Sequence, residues 1–156
     1  MVIQSGQTTD DRAARLDALV RSLRVAGYRM TSQRHAILES LVFSESHPSA
    51  EDIYQDVLDA HPAMSRATVY KTLEVLRRIG QVLELESREG GPGNRYDGFK
   101  PHTHPHLVCT ECGTIVDVDE DPVKARAAEW AATEGFQLHD YRVYVYGRCS
   151  RCRGDA

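Results

Sequence analysis

Three histidines alternate with other residues in the segment HTHPHLVC, at His102, His104 and His106, and a Cys-x-x-Cys pair follows at once. Asp97 precedes this segment and Asp117 follows it. Imidazole and carboxylate ligands together suit Fe(II), Mn(II) and similar ions, and they bind zinc or nickel less selectively. A single histidine is usually an ordinary surface residue. His104 and His106, however, should share one face of a strand and are flanked by carboxylates, which favours an exchangeable metal site.

The cysteines indicate a separate site of softer ligands. One Cys-x-x-Cys pair could be a thiol redox motif, but two pairs in one small domain fit a tetrahedral zinc site better. The long interval between the two pairs means that the site must join the start of a sheet to its end. The predicted ligands of this structural zinc are Cys109, Cys112, Cys149 and Cys152.

The composition of the whole chain limits its function. With 156 residues, 41% of them hydrophobic and 27% charged, the chain is typical of a soluble protein of one domain or two small ones. No segment approaches the ~18–20 apolar residues of a membrane span. The polar start lacks the apolar core of a secretory signal, so we expect a cytoplasmic protein that does not bind membranes. The net charge of −4 argues weakly against a general polyanion binder.

Arginines are concentrated near the start of the chain, where residues 12–34 contain six of them and a single acid, Asp17. A solvated helix face is the simplest interpretation of such a run. A phosphate-contacting surface becomes the better interpretation if an element that recognises DNA follows. The six are Arg12, Arg15, Arg21, Arg24, Arg29 and Arg34.

Apolar periodicity predicts four helices in the first half of the chain. The first covers about residues 10–26. The second begins after the cap candidates Thr31 and Ser32, the third after Ser49 and the fourth after Ser65. Alternation in QVLELES predicts a strand, REGGPGN a turn, and RYDGF the returning strand. A hairpin directly after a helix-turn-helix is a winged helix, and a generic small helical domain with a hairpin is the alternative.

The fourth helix, predicted over residues 66–79, has two unlike faces. Val69, Leu73 and Leu76 lie within about 60° of one another at 100° per residue, so they should face the core. The first turn and the opposite face should enter a DNA groove, where such side chains can contact base edges and phosphates. The predicted contact residues are Arg66, Thr68, Tyr70 and Lys71.

The second half predicts a different kind of unit. HLVCTECGTIVDVD is typical of a strand, a Cys-x-x-Cys-Gly turn and a second strand. Asp121 and Pro122 should open a helix, with Val123, Ala127 and Trp130 as its apolar stripe. A strand in YRVYVYG then leads to the second cysteine pair.

Five segments, in order along nearly the whole chain, resemble the ferric uptake regulator family: RMTSQRHAILESLVFSESHPSAEDIY, MSRATVYKTLEVLRRIGQV, RYD, HPHLVCTECGTIVD and YRVYVYGRCSRC. The resemblance implies a homodimeric, metal-dependent repressor of double-stranded operator DNA, with no enzymatic activity and no small-molecule substrate. It implies an α+β fold, with a winged helix-turn-helix domain over 1–96, a hinge over 97–103, and an α/β dimerisation domain with a four-cysteine zinc site over 104–156.

Within that family the chain most resembles the peroxide-sensing repressors. The resemblance implies that a regulatory Fe(II) or Mn(II) is held by His47, Asp97, His104, His106 and Asp117, and that peroxide oxidises His47 or His104 in the Fe(II) form. An iron- or manganese-responsive uptake repressor of the same family is the alternative. A zinc-containing redox or hydrolytic enzyme fits poorly, because a closed four-thiolate set has no open coordination position. His35, His61 and His139 are interpreted as ordinary surface residues.

Overall fold

The computed structural model describes residues 8–87 and 93–154, and the chain divides into two compact units. One unit covers Gln7–His102 and the other contains Thr103–Ala156. The first is mainly helical and carries a β-hairpin, whereas the second is built on a three-stranded sheet. Within the described residues, no helix is both long enough and apolar enough to cross a membrane.

The helices of the first unit begin where the sequence offers capping side chains. They are α1 (Thr9–Val25), α2 (Ser32–Phe43), α3 (Ala50–Leu58) and α4 (Arg66–Arg78). The preceding residue of each, a Ser or Thr, accepts a hydrogen bond from the backbone amide three positions on. This bond satisfies one of the amides that a helix start leaves open. The predicted positions of all four helices are confirmed within one or two residues.

One hydrophobic core joins the four helices. Leu19 and Leu23 of α1, with Ile37 and Leu38 of α2, are fully buried in it. The predicted inner face of α4 is confirmed, because its three residues are at most 1% exposed. Burial of each such side chain contributes about 1.5–3 kcal/mol, which is enough to fix the rotation of α4 about its axis.

The hairpin after α4 consists of β1 (Leu83–Leu85) and β2 (Arg95–Asp97), which pair antiparallel. Most of the turn predicted between them, residues 88–92, lies outside the described residues. The edge of β2 that does not pair with β1 lies along the segment that precedes α3, since the Tyr96 amide donates to the Pro48 carbonyl at 2.9 Å. Helices followed by this hairpin form the predicted winged helix.

The second unit contains β3 (His106–Cys109), β4 (Ile115–Asp117), α5 (Val123–Thr133), β5 (Tyr144–Gly147) and α6 (Ser150–Arg153). Strand β3 lies in the middle of the sheet, antiparallel to β4 and parallel to β5. The turn between β3 and β4 needs a positive φ, which Gly113 supplies at 71°. At the start of α5, the carboxylate of Asp121 accepts hydrogen bonds from two helix amides, as predicted.

Two predictions for the second unit are wrong in detail. The stripe of α5 is not buried, since Val123 and Ala127 are half-buried and Trp130 is 61% exposed. Periodicity predicts an apolar face but not what covers it. His104 was expected on a strand with His106, but β3 begins at His106, so His104 lies just before the strand.

Candidate metal sites and nucleic-acid interface

In the first unit, His47 and Asp97 lie side by side because the segment before α3 runs along β2. The His47 Nε2 atom is 3.6 Å from Asp97 Oδ2, and the two side chains are 11% and 5% exposed. A buried carboxylate is costly unless its charge is compensated. An imidazole and a carboxylate at this separation offer two ligand atoms to a divalent cation.

The turn after β2 fixes the orientation of the Asp97 carboxylate. Its Oδ1 atom accepts hydrogen bonds from the amides of Phe99 and Lys100, at 2.8 and 2.9 Å. Oδ2 is the atom that faces His47. The turn is packed tightly, since a Cβ at Gly98 would lie 2.5 Å from the side chain of Leu41.

In the second unit, Asp117 lies directly opposite His106 in the register of β3 and β4. Its Oδ1 atom is 3.3 Å from His104 Nε2 and 3.6 Å from His106 Nε2. The two histidines are almost fully buried, and their ring centroids are 4.3 Å apart. The structure therefore brings these three side chains together, as it brings His47 to Asp97 in the first unit.

One aromatic neighbour of this group was not foreseen. Tyr144 of β5 lies opposite His106 and stacks on its ring at a centroid distance of 5.9 Å. The sequence shows alternating tyrosines in β5, but only the parallel register of β3 and β5 selects the one that contacts the histidine. Tyr144 therefore restrains the imidazole of His106 from the β5 side, whereas Asp117 contacts it from the β4 side.

The four cysteines converge at one end of the sheet in the second unit. The ligand atoms lie within 4.8 Å of one another, and the sulfurs of Cys112 and Cys149 are 3.7 Å apart. Zn–S bonds of about 2.3 Å in a tetrahedron require sulfurs about 3.8 Å apart, so the cluster fits zinc. Cys109 ends β3 beside Gly147 of β5, and this pairing brings the second Cys-x-x-Cys to the first.

The charge of these thiols also favours a cation among them. Hydrogen bonds from Thr114 and then from Arg151 lower the pKa of Cys112 to about 5. Hydrogen bonding to Cys149 and then to Cys112 raises the pKa of Cys152 to about 12. A thiol that is close to thiolates resists ionisation, so four thiolates together need a divalent cation to offset their repulsion.

Helix α4 carries the side chains predicted to contact DNA. Arg66, Tyr70 and Lys71 are exposed, whereas Thr68 is half-buried. The hydroxyl of Thr68 is held by the cap residue Ser65, with the two oxygens 2.9 Å apart. Three of the four predicted contact residues are therefore at the surface, and Thr68 is partly engaged in the start of the helix.

Arg66 has partners within the first unit that the sequence did not reveal. Its Nε and Nη2 atoms donate to the two carboxylate oxygens of Glu51, at 2.8 and 2.7 Å. Its guanidinium lies 4.2 Å from the ring centroid of Tyr54, a separation typical of a cation–π contact. Helix α3 thus holds the first charged side chain of α4.

Half of the N-terminal arginines bind backbone carbonyls. Arg12 and Arg15 each donate two hydrogen bonds to carbonyls of other segments, and Arg34 donates to the carbonyl of Arg29. These three guanidinium groups are therefore engaged within the fold, which the sequence did not reveal. The exposed members of the run are Arg21, Arg24 and Arg29.

The sequence profile of the ferric uptake regulator family matches residues 25–146. The peroxide-responsive repressor PerR of Staphylococcus epidermidis is 38% identical to this chain over 138 residues, which are 88% of this chain and 90% of that protein.

Solved structures of related proteins share the fold. The ferric uptake regulator Fur of Vibrio cholerae matches with a TM-score of 0.67 at 34% identity, over 83% of this chain and 98% of that one. PerR of Streptococcus pyogenes matches with a TM-score of 0.50 at 36% identity, over 88% and 92% of the two chains.

The fold and the clustered ligands define a class of α+β proteins in which a winged helix is joined to a cysteine-rich sheet domain. The chain belongs to the ferric uptake regulator family. The resemblance found in the sequence motifs is confirmed, and with it the predicted fold class.

Proposed function

We propose that this protein is a metal-dependent transcriptional repressor that binds operator DNA as a homodimer and releases it when peroxide oxidises a metal-binding histidine. The proposal is carried by two buried groups of imidazole and carboxylate ligands, one in each unit. They are chemically distinct from the thiol cluster. Two different donor sets suit one permanent ion and one exchangeable ion.

We assign Cys109, Cys112, Cys149 and Cys152 to a structural zinc. We assign one regulatory Fe(II) or Mn(II) to a set of ligands drawn from both units, with residues 97–103 as the hinge. An ion that needs ligands from both units favours the arrangement in which it can bind all of them. The regulatory ligands are His47, Asp97, His104, His106 and Asp117.

DNA binding is assigned to α4, through Arg66, Thr68, Tyr70 and Lys71. A two-fold dimer presents two such helices to successive half-sites, so the separation of the helices decides whether the operator is bound. The exposed apolar side chains of the second unit support a homodimer, because surfaces of this kind commonly mark protein interfaces. They include Leu107, Trp130, Phe136, Val145 and Tyr146.

Peroxide sensing requires that the oxidisable ligands are the imidazoles. An Fe(II) held by these ligands would donate one electron to peroxide and take one electron back from the attacked ring. One peroxide oxygen would then be added to the ring, and the other would leave as water. The carboxylates of Asp97 and Asp117 resist oxidation, whereas the rings of His47 and His104 can each gain one oxygen. An oxidised ring is a poorer ligand, so the regulatory site weakens and DNA is released. His106 is a weaker candidate for oxidation.

The 38% identity to a peroxide-responsive repressor supports peroxide as the signal. An iron- or manganese-responsive uptake repressor without peroxide sensing is the second candidate, since the same imidazole and carboxylate ligands would serve it. In either case the protein acts on DNA in the cytoplasm, without an enzymatic reaction.

The test begins with protein purified without oxygen and loaded with Fe(II) or Mn(II). An operator fragment is first selected from genomic DNA by the Mn(II) form, and binding is then measured by fluorescence anisotropy before and after a low dose of peroxide. We expect only the Fe(II) form to lose binding. Binding by both forms after peroxide would leave a plain metal-responsive repressor, and equal binding by metal-free protein would contradict metal dependence.

A further inference from the structure

Arg15 joins helix α1 to both ends of the β-hairpin. Its Nη2 atom donates to the carbonyl of Gln81 at 2.6 Å and its Nη1 atom to the side-chain oxygen of the same residue at 3.2 Å. Its Nε atom donates to the carbonyl of Gly98 at 2.8 Å. Gln81 precedes β1 and Gly98 follows β2, so one guanidinium holds the entry and the exit of the hairpin.

The carbonyl of Gly98 belongs to the turn that aims Asp97. Within that turn the carboxylate of Asp97 accepts the amides of Phe99 and Lys100. Outside it, Arg15 holds the intervening carbonyl. Burial has the larger effect on Arg15 and lowers its pKa. The negative charge of Asp97 lies close enough to act in the opposite direction. The turn is therefore held from both sides.

We propose that Arg15 is a positioning residue for Asp97, which keeps Oδ2 directed toward His47 and so raises the affinity of the exchangeable metal site. This inference rests on the proposed function, in which Asp97 is a ligand of the regulatory ion. Groups that orient a metal ligand typically change metal affinity 10- to 100-fold when they are removed. Because Arg15 acts through the backbone next to the ligand, we expect an effect of about tenfold, at the lower end of that range.

Arg12 provides a matched control on the same helix, one turn earlier. It also donates two hydrogen bonds to backbone carbonyls, at 3.0 Å to Val42 and 2.8 Å to Ser44. These carbonyls belong to the end of α2 and the residue that follows it, and not to the turn after β2. Replacing either arginine by methionine removes similar bonds from α1, but only the Arg15 variant releases the turn that carries Asp97.

The experiment measures Mn(II) affinity of the zinc-containing full chain by electron paramagnetic resonance of the free ion. Arg15→Met should weaken Mn(II) binding about tenfold, whereas Arg12→Met should bind Mn(II) as tightly as wild type. Arg15→Lys keeps the charge but not the fork of donors, so it should also bind Mn(II) more weakly with the fold intact. In metal-free protein, hydrogen exchange at the amides of Phe99 and Lys100 should become faster in the Arg15 variants only.

Unchanged Mn(II) affinity in both Arg15 variants, or an equal loss in Arg12→Met, would overturn the positioning role. Asp97→Asn separates this outcome from a failure of the proposed function. If Asp97→Asn weakens Mn(II) binding but the Arg15 variants do not, the metal site stands and the role of Arg15 is wrong. If Asp97→Asn binds Mn(II) like wild type, Asp97 is not a ligand and both proposals are overturned.

Discussion

Cys112 supplies one of the four sulfurs of the thiol cluster. It hydrogen-bonds to Thr114 at 3.2 Å and lies 3.7 Å from the sulfur of Cys149. Serine is a poor zinc ligand, and zinc in such sites contributes on the order of 10 kcal/mol to folding. We therefore expect Cys112→Ser to lose zinc and to become unfolded or monomeric.

Metal analysis by mass spectrometry and sedimentation velocity would test this. Ser150→Ala, a change between the two cysteines of the second pair, should keep both zinc and the oligomeric state. A Cys112→Ser protein that is folded, dimeric and able to bind DNA would contradict the structural role of zinc.

Glu51 of α3 and Arg66 of α4 form an exposed ion pair. The hydrogen bond from Arg66 lowers the pKa of Glu51 to about 2, so the pair is ionised at any pH near neutrality. DNA that approaches α4 must compete with Glu51 for this guanidinium. An exposed ion pair is weak because water screens it, so Glu51→Gln should strengthen DNA binding by no more than about fivefold.

A double-mutant cycle isolates the pair from the general effect of removing a negative charge. The increase in DNA affinity caused by Glu51→Gln should be smaller when Arg66 is also replaced by alanine. The increase caused by Asp56→Asn, elsewhere on α3, should be the same with and without Arg66. An equal gain from Glu51→Gln with and without Arg66 would show that Glu51 does not restrain the arginine.

At the scale of elements, the exposed face of α4 should determine how DNA binding depends on salt. If each dimer contacts roughly 6–10 phosphates, affinity should fall about 10³-fold or more between about 50 and 200 mM salt. Lys71→Ala should weaken binding and reduce the slope of log affinity against log salt by about one. Lys124→Ala in α5 removes the same charge at a position far from α4 in the sequence. This variant should change neither the affinity for DNA nor the slope of log affinity against log salt. Equal binding by the Lys71 variant and wild type would mean that α4 presents a different face.

The sequence predicts elements whose signals are local. Ser49 with Asp52 predicts the start of α3, and the structure contains the reciprocal capping box. The spacing of Val69 and Leu73 predicts the buried side of α4. The capping box and the buried face can both be predicted because each depends on residues within one or two helical turns.

Features that depend on distant partners could not be predicted in the same way. The sequence does not show that Arg15 reaches the turn after β2, because the two are 83 residues apart. It does not show which tyrosine stacks on His106, since strand register decides that. Nor does it show that Trp130 is exposed in the single chain, because periodicity is the same for a face covered by its own chain and one covered by another.

At the scale of the whole molecule, the edge of the second unit's sheet should decide the oligomeric state. Among the described strands of this sheet β5 lies at the edge, and Val145 within it is 52% exposed. Exposed apolar edge strands are usually covered, because they otherwise aggregate. If a second copy covers this edge, Val145→Glu should weaken dimerisation roughly tenfold or more, since it buries an unpaired charge.

Light scattering after gel filtration would measure the change. Ala125→Glu, on the side of α5 away from its apolar stripe, introduces the same charge and should remain dimeric. Val145→Glu protein that is fully dimeric would place the dimer interface elsewhere, and one that is monomeric yet binds DNA at full strength would contradict a dimeric repressor.

Peptide mass spectrometry tests histidine oxidation most directly, on the Fe(II)-loaded protein after exposure to about one equivalent of peroxide without oxygen. We expect one added oxygen on His47 or His104 together with loss of DNA binding, and no modification of the Mn(II)-loaded protein at the same dose. Oxidation that occurs first at Cys109 or Cys149, with zinc release and unmodified histidines, would contradict it and indicate a thiol switch.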